Sequence, residues 1–108
     1  PAAATAPIPN YPPGTVQEII VQAFSPYGPG AVQWGLRVAR CESNYHPGSI
    51  NPSGPYYGIF QFLTSTFVNT AKAAGMPYTG ANIMDPVAQS NVAAWKWAHG
   101  GAGAWGCN

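Results

Sequence analysis

The chain has 108 residues, enough for one small domain, with a net charge of +1 and charged residues making up 6% of the sequence, against roughly 25% in ordinary soluble domains. Four scattered basic residues form no patch to neutralise a phosphate backbone, which argues against nucleic-acid binding. No run of about eighteen apolar residues is present, so no segment is expected to span a membrane. With four Trp and six Tyr, the surface must be built from Gly, Pro, Asn, Ser, Thr and aromatic edges. Such a surface suits a neutral, hydroxyl-rich ligand such as a glycan, and equally a secreted structural module.

Residues Pro1 to Gly14 are rich in Pro and Ala and read as an extended lead-in, the end of a linker from a neighbouring domain; the folded domain is expected over 15–108. Thr15-Val16-Gln17-Glu18 has the form of a capping box. Val16, Ile19, Ile20, Ala23 and Phe24 follow at i, i+3, i+4, i+7 and i+8, an amphipathic helix. Ser25 to Gly30 is a turn. A second helix, from Pro29–Ala31 to about Ser43, is apolar nearly all round, as a central buried helix should be. Asn44 to Pro55 is a loop, and Tyr56 to Phe62 a short strand or hairpin. A third helix runs from N-cap candidates at Leu63–Thr66 through Phe67, Ala71 and Ala74 to a stop at Gly75. Asp85-Pro86 starts a fourth, carrying Ala88, Val92, Trp95 and His99 on one face and ending at Gly100-Gly101. The expected class is mainly α (small α+β): about four helices around the second one, with at most a minor β element.

Cys41 and Cys107, an even count without CxxC spacing, favour a disulfide in an oxidising compartment; two free buried thiols are the alternative. A bridge would pin the tail beside residue 42. His46 and His99 lack metal-ligand spacing, so neither a metal nor a cofactor is expected.

Only three acidic residues exist. Glu18 and Asp85 stand where helix caps belong. Glu42 lies about 200° around the second helix from Arg40 at ~100° per residue, on the side of Gly35, Val38 and Ala39. Gln33, Arg37 and Arg40 form the polar stripe opposite. A carboxylate sent toward an apolar face is costly unless it is protonated, paired or put to use. A helix-end carboxylate paired with an arginine is the structural alternative.

Cys41-Glu42-Ser43, Tyr57-Gly58-Ile59-Phe60-Gln61-Phe62 and Ser65-Thr66-Phe67 stand in this order. Together with the Asp-Pro helix start followed by Gln89 and Ala93-Ala94-Trp95, they resemble the lysozyme-like, lytic-transglycosylase superfamily. The branch of resuscitation-promoting factors and related actinobacterial or phage cell-wall hydrolases is the most similar. The resemblance covers about Trp34 to Asn108.

It implies a lysozyme-like fold and a monomer, compatible with being one part of a larger protein, located outside the cell, in the cell wall or in a phage virion. The implied substrate is peptidoglycan, cut at the β-1,4 bond between N-acetylmuramic acid and N-acetylglucosamine. Glu42 would be the general acid, with its pKa raised by an apolar or aromatic setting whose expected walls are Tyr56, Tyr57 and Phe60. Gln61 would hydrogen-bond an N-acetyl group or sugar hydroxyl, Gly58 would let the glycan approach the backbone, and Tyr57 would bond the substrate or orient Glu42. Trp105 is a candidate stacking platform, with core packing as its equal alternative. Ser43 is a cleft candidate or a helix-end cap. A two-carboxylate mechanism needs a second acid across the bond, and Asn51 and Ser53 in the following loop are neutral. Substrate assistance by the N-acetyl group is therefore expected, as the resemblance also suggests. A non-catalytic glycan-binding or structural module on the same scaffold is the competing expectation.

Overall fold

A computed structural model describes residues 7–107. Four α-helices, α1 (Val16–Phe24), α2 (Pro29–Ser43), α3 (Thr64–Ala73) and α4 (Pro86–Ala98), carry the fold, and the only sheet among the described residues pairs β1 (Ile50–Asn51) with β2 (Tyr56–Tyr57). The mainly helical expectation holds, with the β element reduced to a two-residue antiparallel ladder, Ile50 opposite Tyr57 and Asn51 opposite Tyr56. The expected linker falls partly on residues 1–6, which lie outside the described residues.

Local chemistry sets the helix ends. The Thr15 hydroxyl accepts from the Glu18 amide at 3.2 Å, but the Thr15 amide is bonded to Pro12 O, so only one half of the expected capping box forms. Asp85 caps α4 through the Val87 amide, with Pro86 in the first turn, where its missing N–H costs nothing. Leu63 precedes α3 without a side-chain cap; the threonines and serine proposed as caps lie inside the helix. α2 stops at Asn44, in the left-handed region at φ 51° with its amide on Arg40 O, and Tyr45 continues the reversal at φ 64°. The Tyr45 hydroxyl then donates to Leu36 O at 2.9 Å, tying the reversed chain to the helix it left.

α2 is buried along Ala31, Val32, Trp34, Gly35, Leu36, Val38 and Ala39. It packs against α1 and α4, and α4 touches all three other helices. Gly35 allows this closeness: a Cβ there would stand 2.9 Å from the Phe24 ring. Trp105 sits edge-on to Trp34, Phe60 and Phe62 at centroid separations of 5.1, 6.2 and 5.5 Å, contacts worth ~0.5–1.5 kcal/mol each beyond burial. Trp34 joins this core, Trp97 is partly buried beside it, and Trp95 is instead stacked on the His99 ring at 3.9 Å.

The expected strand or hairpin at Tyr56–Phe62 is chiefly a buried turn. Tyr57 and Phe62 exchange backbone hydrogen bonds at 3.0 Å in both directions, and Gly58 to Gln61 loop between them. Ile59 and Phe60 are fully buried, so their polar backbone groups need partners. The Phe60 amide donates to Gln89 Oε1 at 2.9 Å, Trp105 Nε1 donates to Phe60 O at 2.8 Å, and the Ser43 hydroxyl donates to Ile59 O at 2.9 Å. Gln89 Nε2 donates to Tyr57 O and to Ile83 O at 2.7 and 2.6 Å. Side chains from α2, α4 and the tail thus supply what a longer sheet would otherwise provide.

Candidate active site

An open groove of about 700 Å³ runs past the C-terminal end of α2, within the range of small-ligand clefts. Asn51 and Tyr56 of the ladder form one side. Gln61, Phe62 and Leu63 lie along the turn, Thr66 and Lys96 come from α3 and α4, and Ala104 to Cys107 form the far wall. Glu42 projects into this space from the last turn of α2, half-buried.

Burial holds the Glu42 carboxyl above the ordinary carboxylate value of 4.5, and a hydrogen bond from the Cys107 backbone amide partly offsets the rise. No neighbouring charge contributes to the shift. Desolvation is therefore the operative cause, and it favours the protonated form of the carboxyl. The tail is held in place by the Cys41–Cys107 disulfide; the two-thiol alternative falls away, and the tail does lie beside residue 42.

The other candidates divide between the groove and its support. Tyr56, Gln61 and Trp105 line the groove. Gln61 sits at φ 53°, and its Nε2 donates to Gly58 O at 2.9 Å and Ser49 O at 3.2 Å. Two carbonyl neighbours fix which amide atom is nitrogen. Oε1, with no partner among the described residues, remains as an acceptor for a ligand N–H or O–H.

Trp105 is buried and bonded through its indole N–H, so it reaches the groove as part of the aromatic core. Ser43 is not among the groove-lining residues; its hydroxyl bonds Ala39 O and Ile59 O and joins α2 to the turn. Gly58 is buried at φ 78°, and a Cβ there would stand 2.3 Å from Gln89 Nε2. The close approach it permits is that of Gln89. Tyr57 is half-buried, and its backbone anchors the ladder and the turn. The expected aromatic walls also change: Tyr56 remains, Phe60 is fully buried, and Phe62 and Trp105 take the place given to Tyr57 and Phe60.

Gln89 is the organising residue; the sequence named it within the family resemblance but gave it no role. Its signal was a glutamine on the buried face of α4, beside Ala88 and Val92, where an apolar residue would be expected. Among the described residues no group of His, Cys, Asp and Glu could hold a metal ion. His99 closes α4, its Nδ1 2.7 Å from Trp95 O. Glu18 and Asp85 lie outside the groove.

A half-buried acid, raised by desolvation, lies in an aromatic-walled groove beside an amide acceptor, an arrangement that suits a carbohydrate ligand. The family model of the transglycosylase SLT domain matches residues 32–99, more than half of the chain, and the chain belongs to that family. Membership gives it a peptidoglycan-acting, lytic-transglycosylase-like role. No curated protein and no solved structure matches the chain.

Proposed function

We propose that this groove cleaves the β-1,4 bond between N-acetylmuramic acid and N-acetylglucosamine, with Glu42 as the single acid. The observation that carries the reading is the Glu42 carboxyl itself, raised by burial and not by a charged partner, in a groove whose described lining holds no second carboxylate.

Protonated Glu42 donates to the glycosidic oxygen as the bond to the anomeric carbon breaks. With no carboxylate opposite, the carbonyl oxygen of the muramoyl N-acetyl group closes on the anomeric carbon and takes up the positive charge. Glu42, now a carboxylate, removes a proton from the sugar's own 6-hydroxyl or from a water; that oxygen attacks the anomeric carbon and displaces the acetyl oxygen, restoring the N-acetyl group and giving a 1,6-anhydro end or a reducing end respectively. The Cys107 amide that donates to the carboxylate steadies it between the two proton transfers. Gln61 Oε1 accepts from the N-acetyl N–H or a hydroxyl, Tyr56 and the edge of Trp105 border the sugar, and Ser43, Tyr57 and Gly58 act by shaping the turn that carries Gln61. The disulfide fits an oxidising location at the cell wall, with the catalytic domain beginning near residue 15.

The test is digestion of purified peptidoglycan with product masses read by mass spectrometry. Glu42→Gln is expected to keep its fold and glycan binding while losing cleavage by ~10²–10⁴-fold, the usual contribution of a general acid. Unchanged turnover by the variant refutes the reading. Products lighter by one water indicate the anhydro route, and reducing ends indicate hydrolysis. Glycan binding without any product would assign a non-catalytic module instead.

A further inference from the structure

A second groove, of about 760 Å³, lies on the other side of α2 and shares Cys41 with the first. The helix explains why the two meet there. Gln33, Arg37, Arg40 and Asn44 follow i, i+4, i+7 and i+11 and so share one face, Glu42 points about 180° away, and Cys41 stands between them. The stripe runs about 16 Å at 1.5 Å per residue. Tyr11 and Tyr45 close the groove opposite it, the Tyr45 phenol near enough to Arg40 and Tyr11 to feel both.

Charge sorts the same way. Of the chain's four basic residues, Arg37 and Arg40 line this groove and Lys96 lines the first. Glu18 and Asp85 lie outside both grooves, and the one acid between them is Glu42, held toward its neutral form by burial. The net positive charge of a nearly uncharged protein is thus gathered around the two grooves, where an uncharged sugar chain has no use for it.

We propose that the second groove binds the carboxylate-bearing stem peptide of the same peptidoglycan strand, a proposal that rests on the first groove holding the glycan. The stem is joined covalently to the muramoyl unit, so binding of the glycan raises its local concentration beside Cys41. A stem of roughly four or five residues, extended, spans about 13–18 Å at ~3.3–3.6 Å each, enough to round α2 past Cys41 and reach Arg40 and Asn44 at the near end of the stripe. Arg40 takes a carboxylate through charge-assisted hydrogen bonds, and the Asn44 amide matches peptide N–H and C=O groups. A phosphate-rich wall polymer would meet the charge but has no amides for the asparagine to read.

The experiment measures binding by calorimetry to the Glu42→Gln full chain, which leaves the glycan intact. The ligands are soluble peptidoglycan oligomers bearing stems and the same oligomers after an amidase has removed them. Stem-bearing oligomers are expected to bind about ten-fold tighter. Adding Arg40→Gln should weaken only the stem-bearing ligand, by about two- to five-fold at this exposed position, and Arg40→Glu should weaken it further, with melting temperatures unchanged. Equal binding of the two oligomers, insensitive to Arg40→Glu, overturns the proposal and leaves the glycan reading standing. Failure of both oligomers to bind overturns that reading together with this one. Displacement by poly(glycerol phosphate) that depends on Arg40, with no effect of the stem, assigns the groove to a phosphate polymer and overturns the proposal.

Discussion

Gln89 is the residue whose loss should cost most for its size. Gln89→Met keeps the volume and removes every polar atom from a fully buried position. The Phe60 amide then loses its acceptor inside the core, a loss of ~1–3 kcal/mol. Ile83 O and Tyr57 O lose a donor each, although Tyr57 O keeps the Phe62 amide and should cost little. With a similar loss at Ile83 O the sum is about 2–6 kcal/mol, a large part of the 5–15 kcal/mol that holds a typical domain together. At 4–8 °C per kcal/mol for a domain of this size, the melting temperature should drop by at least about 8 °C. Urea denaturation with the disulfide intact measures it, as a lower midpoint at unchanged slope.

Gln89→Glu separates the clamp from simple packing. Its carboxylate can still accept from Phe60 but turns oxygen lone pairs toward two carbonyls, so its folded pKa must lie above the unfolded ~4.3. A raised carboxylate contributes stability that is fully present below the unfolded pKa and lost as pH rises through the folded one. The variant should approach the parent in acid and fall away toward neutrality. A cost for Gln89→Met below about 1 kcal/mol, or a Gln89→Glu deficit that does not change with pH, would refute the clamp.

The raised pKa of Glu42 has the same sign: the native state favours the protonated form, and that contribution is lost as pH rises from 4.5 through the raised value. Glu42→Gln should therefore match the parent's stability below pH 4.5 and exceed it at neutral pH in urea titrations, while the parent's cleavage should decline as pH rises through a limb above the ordinary carboxylate range. Ser90 is fully buried on α4 and its hydroxyl has no partner among the described residues, so Ser90→Ala should stabilise by about 1 kcal/mol, read as a higher urea midpoint; a lower midpoint would show that the hydroxyl is satisfied. Reducing Cys41–Cys107, which closes a loop with a sequence separation of 66, should cost about 4 kcal/mol in the chain-entropy model. It should also release the Cys107 amide from Glu42, so reductant is expected to lower cleavage along with stability.

All four helices were legible in the chain itself because each signal is local. Periodicity marked α1, Asp85-Pro86 opened α4, and Gly75 stopped α3, whose start falls within the expected Leu63–Thr66 stretch. The place of Glu42 on α2 was legible for the same reason, being a matter of 100° per residue; of the other two acids Asp85 caps α4 as expected, whereas the Glu18 side chain does not complete its capping box. The stretch Tyr57–Phe62 was visible as important, but not its form or which of its residues reach solvent. The conformation of a buried turn is decided by partners distant in sequence, Ser43, Gln89 and Trp105, whose hydrogen bonds replace a sheet that the segment is too short to build. Only the tertiary structure, therefore, could separate Gln61 at the groove from Gly58 and Ser43 beneath it, and exchange Phe60 for Phe62 in the groove wall. Which atoms face a ligand depends on what fills the space behind them, and here that filler is a glutamine on α4 about thirty residues away.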